Sequence, residues 1–227
     1  MTERLIVGVY GSARLPESDP RWVAAFNLGA ALAEAGFTVA TGGYEGIMGA
    51  ASRGAASKGG EVLGYTVTSW DGLEANEAVT RRIDSADLFD RLRLFSEADL
   101  LIGLDGGIGT LAEIAVAWNL LQVSDARPLL LVGDAWVELV DLVRRRLVVG
   151  PADLEIVHVL PSGTPASMVL AEAQLLMRWV SPVRHTLPKG PAERFSLRSS
   201  LPATRQHGQC WGQSKGCWHS PAQQDRD

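Results

Sequence analysis

Two glycine clusters are built to hold an anion. Thr41-Gly42-Gly43-Tyr44-Glu45-Gly46 and Asp105-Gly106-Gly107-Ile108-Gly109-Thr110 each follow a short apolar run and pass directly into a helical pattern. A helix start offers backbone N–H groups without intrahelical partners, together with a partial positive charge. Glycine lets those amides approach an anion closely, so the chemistry on offer is the holding of a phosphate. Either cluster alone could simply turn the chain from strand to helix. Two of them, each with a hydroxyl beside it (Thr41, Thr110), point to an anion or nucleotide site. Neither fits Gly-x-Gly-x-x-Gly or ends in Gly-Lys-Ser/Thr, which argues against an ordinary NAD dehydrogenase and a P-loop NTPase.

Such loops must sit on elements that bring them together, and the pattern around them supplies a candidate frame. Leu5–Tyr10 reads as an apolar strand. Asp19-Pro20 then reads as an N-cap followed by proline at the first helical position, opening a helix that Gly36 stops after Ala35. Strands are expected at Phe37–Thr41, Val62–Val67, Leu100–Leu104, Leu129–Val132 and Ile156–Leu160. Helices are expected at Ile47–Lys58, Leu88–Glu97, Thr110–Gln122, Trp136–Leu147 and Pro165–Trp179, with residues 68–83 an irregular loop. Apolar strands alternating with helices predict an α/β fold, a Rossmann-like doubly wound parallel sheet in three α/β/α layers. Ligands of such sheets bind beyond the carboxyl ends of the strands, where strand order reverses. Both glycine clusters fall at that end, one after the second strand and one after the fourth.

Composition bounds the rest. Of 227 residues, 46% are hydrophobic and 21% charged, enough for a sizeable core in one domain. No stretch approaches the roughly 20 apolar residues of a membrane span, and the first residues lack the pattern of a signal peptide. A formal net charge of −5 gives no general pull toward nucleic acid or membrane, and a cytoplasmic protein is expected. Residues 1–181 hold 14 Lys+Arg against 23 Asp+Glu, whereas residues 182–227 hold 7 against 3. That second segment is poor in apolar residues and lacks a sustained period, so it is expected to be a disordered basic C-terminal tail. Its His207, Cys210, Cys217 and His219 match no common zinc spacing. Lys58, the only lysine before residue 182, lies at a helix end and offers no pyridoxal phosphate site. No metal and no cofactor are expected.

Three segments in order resemble the LOG ("lonely guy") family of Rossmann-fold nucleotide-binding proteins. They are Gly11-Ser12-Ala13-Arg14; Thr41-Gly42-Gly43-Tyr44-Glu45-Gly46-Ile47-Met48 with Arg53-Gly54-Ala55; and Gly106-Gly107-Ile108-Gly109-Thr110-Leu111-Ala112-Glu113. The resemblance spans roughly residues 5–180. It implies a phosphoribohydrolase that splits the N-glycosidic bond of a nucleoside 5′-monophosphate, of the cytokinin or AMP class, into free base and ribose 5-phosphate. Such cleavage passes through an oxocarbenium-like state that a nearby carboxylate can stabilise while activating water. By resemblance that carboxylate is Glu113, and the assisting arginine is Arg91, with Arg93 second. Gly11, Ser12, Thr41, Gly42, Gly43, Gly46, Met48, Gly106, Gly107, Gly109 and Thr110 are the implied substrate- and phosphate-binding residues. The implied partners are a nucleoside monophosphate and a second copy in a homodimer. Two departures favour an alternative, a carrier of nucleotide or molybdenum cofactor that binds without turnover. Asp105 stands where the family has proline, and strict alignment with the family pattern puts its arginine at Asp90, so that Arg91 is displaced by one residue. Glu45 further adds an acid to the first cluster, which with Asp105 favours a divergent ligand. A carboxylate beside a phosphate loop repels the ligand unless it points away or pairs with an arginine.

Overall fold

The computed structural model describes residues 4–70, 72–123 and 127–178. Seven strands form one parallel sheet: β1 (Ile6–Tyr10), β2 (Thr38–Thr41), β3 (Val62–Val67), β4 (Arg81–Ser85), β5 (Leu100–Gly103), β6 (Leu129–Val132) and β7 (Val157–Leu160). Their spatial order is β4-β3-β2-β1-β5-β6-β7. The chain therefore builds outward from β1 in one direction, then returns to the other side of β1 with β5. The reversal lies between β1 and β5, where Tyr10 pairs with Gly103. Strands β1, β2, β3, β5 and β6 are buried at every residue, which is why they read as mainly apolar runs, broken only by buried threonines, rather than as alternations.

Helix α1 (Pro20–Glu34) starts as its sequence predicts, with Asp19 accepting from the Arg21 backbone N–H at 2.9 Å. Helices α1, α2 (Ile47–Ser57) and α7 (Ala166–Met177) cover one face, packing Ala25, Leu28, Ala51, Val169 and Ala173 against Val7, Val39 and Ile102. Helices α3 (Leu88–Phe95) and α4 (Ile108–Val123) cover the other. There Phe95 meets Tyr10 edge-on with ring centroids 4.5 Å apart and lies 5.1 Å from Tyr65, while Ile114 approaches Gly103. Helix α5 (Asp134–Arg146) and the short α6 (Pro151–Glu155) lead from β6 to β7.

Two elements differ from the sequence expectation. Arg81–Ser85 is a strand that begins inside the region expected to be loop (68–83) and runs past its end, and Pro151–Glu155 forms a helical turn. Strand β4 is the sheet edge, paired only to β3, and it exposes Arg81, Arg82 and Asp84 while burying Ile83 and Ser85. An edge strand with charged outward residues resembles a polar loop in sequence. Because β4 intervenes, the second glycine cluster follows the fifth strand rather than the fourth. No helix among the described residues is long and apolar enough to cross a membrane. The boundary at residue 182, the expected tail and its His/Cys group lie outside the described residues.

Candidate functional site

Three loops meet at the carboxyl rim around the reversal point. The loop after β1 is tied to the loop after β5 by the Ser12 N–H donating to the Asp105 carbonyl at 3.1 Å. It is tied to the first glycine cluster by the Ile47 N–H donating to the Ser12 carbonyl at 2.8 Å. Gly46, at φ +69°, makes that second junction: a Cβ there would run into the Ser12 carbonyl oxygen, and the backbone is left-handed. Gly11 is similarly closed over by the Ile47 side chain. Thr41 is fully buried; its hydroxyl bonds Ser52 Oγ at 3.1 Å and accepts the Gly43 N–H at 3.1 Å. Thr41 and the Gly43 amide thus hold the shape of the loop in this state. Asn76 holds it from above, donating to the Gly43 and Tyr44 carbonyls at 2.9 and 3.0 Å. The second cluster is more open. Gly106 lies tightly over the buried Thr110, whereas Gly107 and Gly109 are exposed with nothing within 4 Å of where a Cβ would stand.

Beneath these loops lies a buried ion pair. Arg91 Nη1 donates to Glu113 Oε1 at 2.7 Å, and the two side chains are only 4% and 9% exposed. Arg91 Nε donates to the Tyr65 carbonyl at 2.8 Å, and Nη2 reaches the underside of Gly42, filling the place a Cβ would take. Met48 Sδ closes the same spot from the side. The guanidinium carbon is 5.8 Å from both the Tyr44 and Trp70 ring centroids, within cation–π range. Helix α3 directs this arginine inward because Arg91 shares its buried face with Leu92, Leu94 and Phe95. Arg93 points out, 61% exposed, bonding Asp90 and Glu97 at 3.0 and 3.1 Å. Of the two candidate arginines, Arg91 is the one that faces Glu113.

Burial raises the Glu113 carboxyl above its ordinary range, and the adjacent guanidinium opposes that rise. Tyr10, at the end of β1, is fully buried, with its hydroxyl unpartnered among the described residues. Burial, and then the Glu113 charge, push that phenol upward. The two troublesome acids are both managed. Asp105 turns toward the loop after β6, with Oδ1 beside Gly133. Its carboxyl is raised by burial, while Arg21 counteracts. Glu45 pairs with Arg53 at 2.9 Å on the exposed side of the loop. Sequence reasoning missed Tyr10, Tyr65, Trp70 and Asn76 as parts of this site. Trp70 and Asn76 lie in the connection between β3 and β4, which shows no period. Tyr65 contributes a backbone carbonyl, which no side-chain pattern announces.

A parallel sheet whose glycine loops meet at the switch point above a buried Arg–Glu pair is a LOG-like Rossmann arrangement. The chain belongs to the SLOG cluster4 family, which it matches over residues 4–125. That span holds both glycine clusters, Arg91 and Glu113. An uncharacterized protein of Archaeoglobus fulgidus is 33% identical over 111 residues, which cover 49% of this chain and 72% of that protein. Among solved structures, the molybdenum cofactor carrier protein of Chlamydomonas reinhardtii is 26% identical with a TM-score of 0.59. The alignment covers 78% of this chain and 99% of that one. The molybdenum cofactor binding protein of the phototrophic bacterium Rippkaea orientalis, 23% identical, shares the fold at a TM-score of 0.59 over 77% and 99% of the two chains.

Proposed function

We propose that this protein binds a phosphorylated, ring-bearing small molecule at the carboxyl rim and holds it as a carrier. The observation that carries the reading is the buried Arg91–Glu113 pair. Glu113, the acid expected to serve ribosyl chemistry, is engaged in holding the arginine beneath Gly42. Arg91 in turn lends positive charge to the underside of the loop that faces the ligand. The open helix start at Gly107–Gly109 supplies backbone amides for the phosphate. The structurally similar protein of Chlamydomonas reinhardtii is by name a molybdenum cofactor carrier, and this supports a small-molecule cargo held without turnover here. Isothermal titration with AMP and with ribose 5-phosphate tests binding, and chromatography of the same mixtures tests turnover. Saturable binding with AMP recovered intact is the expected result. Failure of both phosphates to bind defeats the reading.

One observation favours a second reading, the phosphoribohydrolase. Glu113 sits below both loops with a carboxyl raised by burial, and a carboxyl poised above its ordinary range suits proton transfer to a leaving base. That reading requires adenine and ribose 5-phosphate to appear from AMP, and Glu113→Gln to abolish their release. For assembly, the outward face of α4 favours a second copy. Ile108 and Val123 are 82% and 75% exposed, and Ala112, Ala115 and Asn119 lie exposed between them. A helical stripe with one polar residue suits self-association.

A further inference from the structure

We propose that Trp70 is the ring-recognition residue of this site, stacking on the planar heteroaromatic part of the ligand while the glycine loops hold its phosphate. The inference rests on the phosphorylated-ligand reading above and goes beyond it by assigning the other end of the ligand. Four observations carry it. Trp70 lies just past the carboxyl end of β3, on the same rim as the loops, and its indole is half-buried rather than sealed in the core. Its ring centroid stands 5.8 Å from the Arg91 guanidinium carbon, so the charged and aromatic ends of the site are next to each other. Tyr44, whose ring centroid is 5.9 Å from that of Trp70, is buried and fixed by its hydroxyl, which accepts the Val67 N–H at 3.1 Å. Tyr44 therefore backs the indole, and Trp70 is the ring left with exposed surface. Finally, the segment carrying Trp70 is anchored to the glycine loop itself through Asn76. Trp70 and the first glycine loop are thus held next to each other.

Stacking on an indole tolerates different bases because every heterocycle presents a π-face, and removing such a platform weakens binding by about tenfold to a hundredfold. The test measures AMP and ribose 5-phosphate binding by calorimetry for wild type, Trp70→Ala and Trp70→Phe in the full chain. The expected result for Trp70→Ala is a loss of about tenfold to a hundredfold for AMP, with ribose 5-phosphate affinity unchanged. Trp70→Phe recovers most of the AMP affinity. Unchanged ribose 5-phosphate binding also certifies that the variant folds. An equal loss for both ligands, or none for AMP, overturns the assignment while leaving the phosphate reading intact. Wild type binding ribose 5-phosphate as tightly as AMP does the same. Wild type binding neither defeats the underlying reading, and this one with it.

Discussion

Placing a single methyl group on Gly42 tests the architecture of the site more directly than deleting any side chain. Gly42 does not have a left-handed backbone, so Gly42→Ala adds no backbone strain, and its cost is steric. The new Cβ would overlap Arg91 Nη2 and stand 2.5 Å from Met48 Sδ. The end of an arginine side chain usually moves aside cheaply. Here it is held by the Tyr65 carbonyl at 2.8 Å and by Glu113 at 2.7 Å, with almost no exposure. If the guanidinium yields slightly, overpacking costs about 1–3 kcal/mol. If it is expelled, Glu113 is left buried without its partner, at roughly 3–5 kcal/mol. Urea denaturation of Gly42→Ala should therefore show a loss of about 1–5 kcal/mol, a large share of typical domain stability. The same substitution in an Arg91→Met, Glu113→Gln background meets no clamped guanidinium and should cost under about 1 kcal/mol. A loss within about 0.5 kcal/mol of zero in the wild-type background, or an equal loss in both backgrounds, refutes the clamp.

Three further outcomes follow from the same geometry. Burial holds the folded Glu113 carboxyl above its unfolded value near 4.5, so the native state binds the extra proton. The favourable share of its free energy is present below that value and is lost as pH rises through the folded one. Relative to Glu113→Gln, wild-type stability should fall on going from pH 4 toward neutrality in parallel urea titrations; a rise would mean that Arg91 outweighs burial. Tyr10→Phe removes a buried hydroxyl, unpartnered among the described residues, and should leave the protein as stable or raise stability by about 1–2 kcal/mol in thermal melts. A loss beyond about 1 kcal/mol would show that the hydroxyl has a partner in solution. The α4 interface proposed above requires a dimeric wild type that Ala115→Arg, on the outward face of α4, converts to a monomer in light scattering without unfolding it; a monomeric wild type, or an unchanged mass in the variant, refutes that interface.

The frame of this protein was legible because burial on both faces leaves a plain mark: mainly apolar strands, and a helix announced by Asp19-Pro20 and closed by Gly36. The glycine clusters were legible for a related reason, since Gly46 and Gly42 occupy places where a side chain would collide with the neighbouring loop or with Arg91. What the sequence hid is whatever depends on sheet order. Strand β4 looks like a polar loop because an edge strand faces water. Its presence sends the chain back across the sheet through α3, and that crossing brings Arg91 under a loop formed some fifty residues earlier. Arg91 and Arg93 are indistinguishable by composition; the turn of α3 puts one against Glu113 and the other in solvent. The same logic bears on function. An acid in the Glu113 position reads as catalytic when only its motif is seen, yet in the fold its immediate partner is the arginine that props up the first glycine loop. Any ligand that draws Arg91 upward must also release Glu113 from its ion pair. Whether cargo binding leaves that pair closed therefore separates a carrier from a hydrolase more sharply than the motif does.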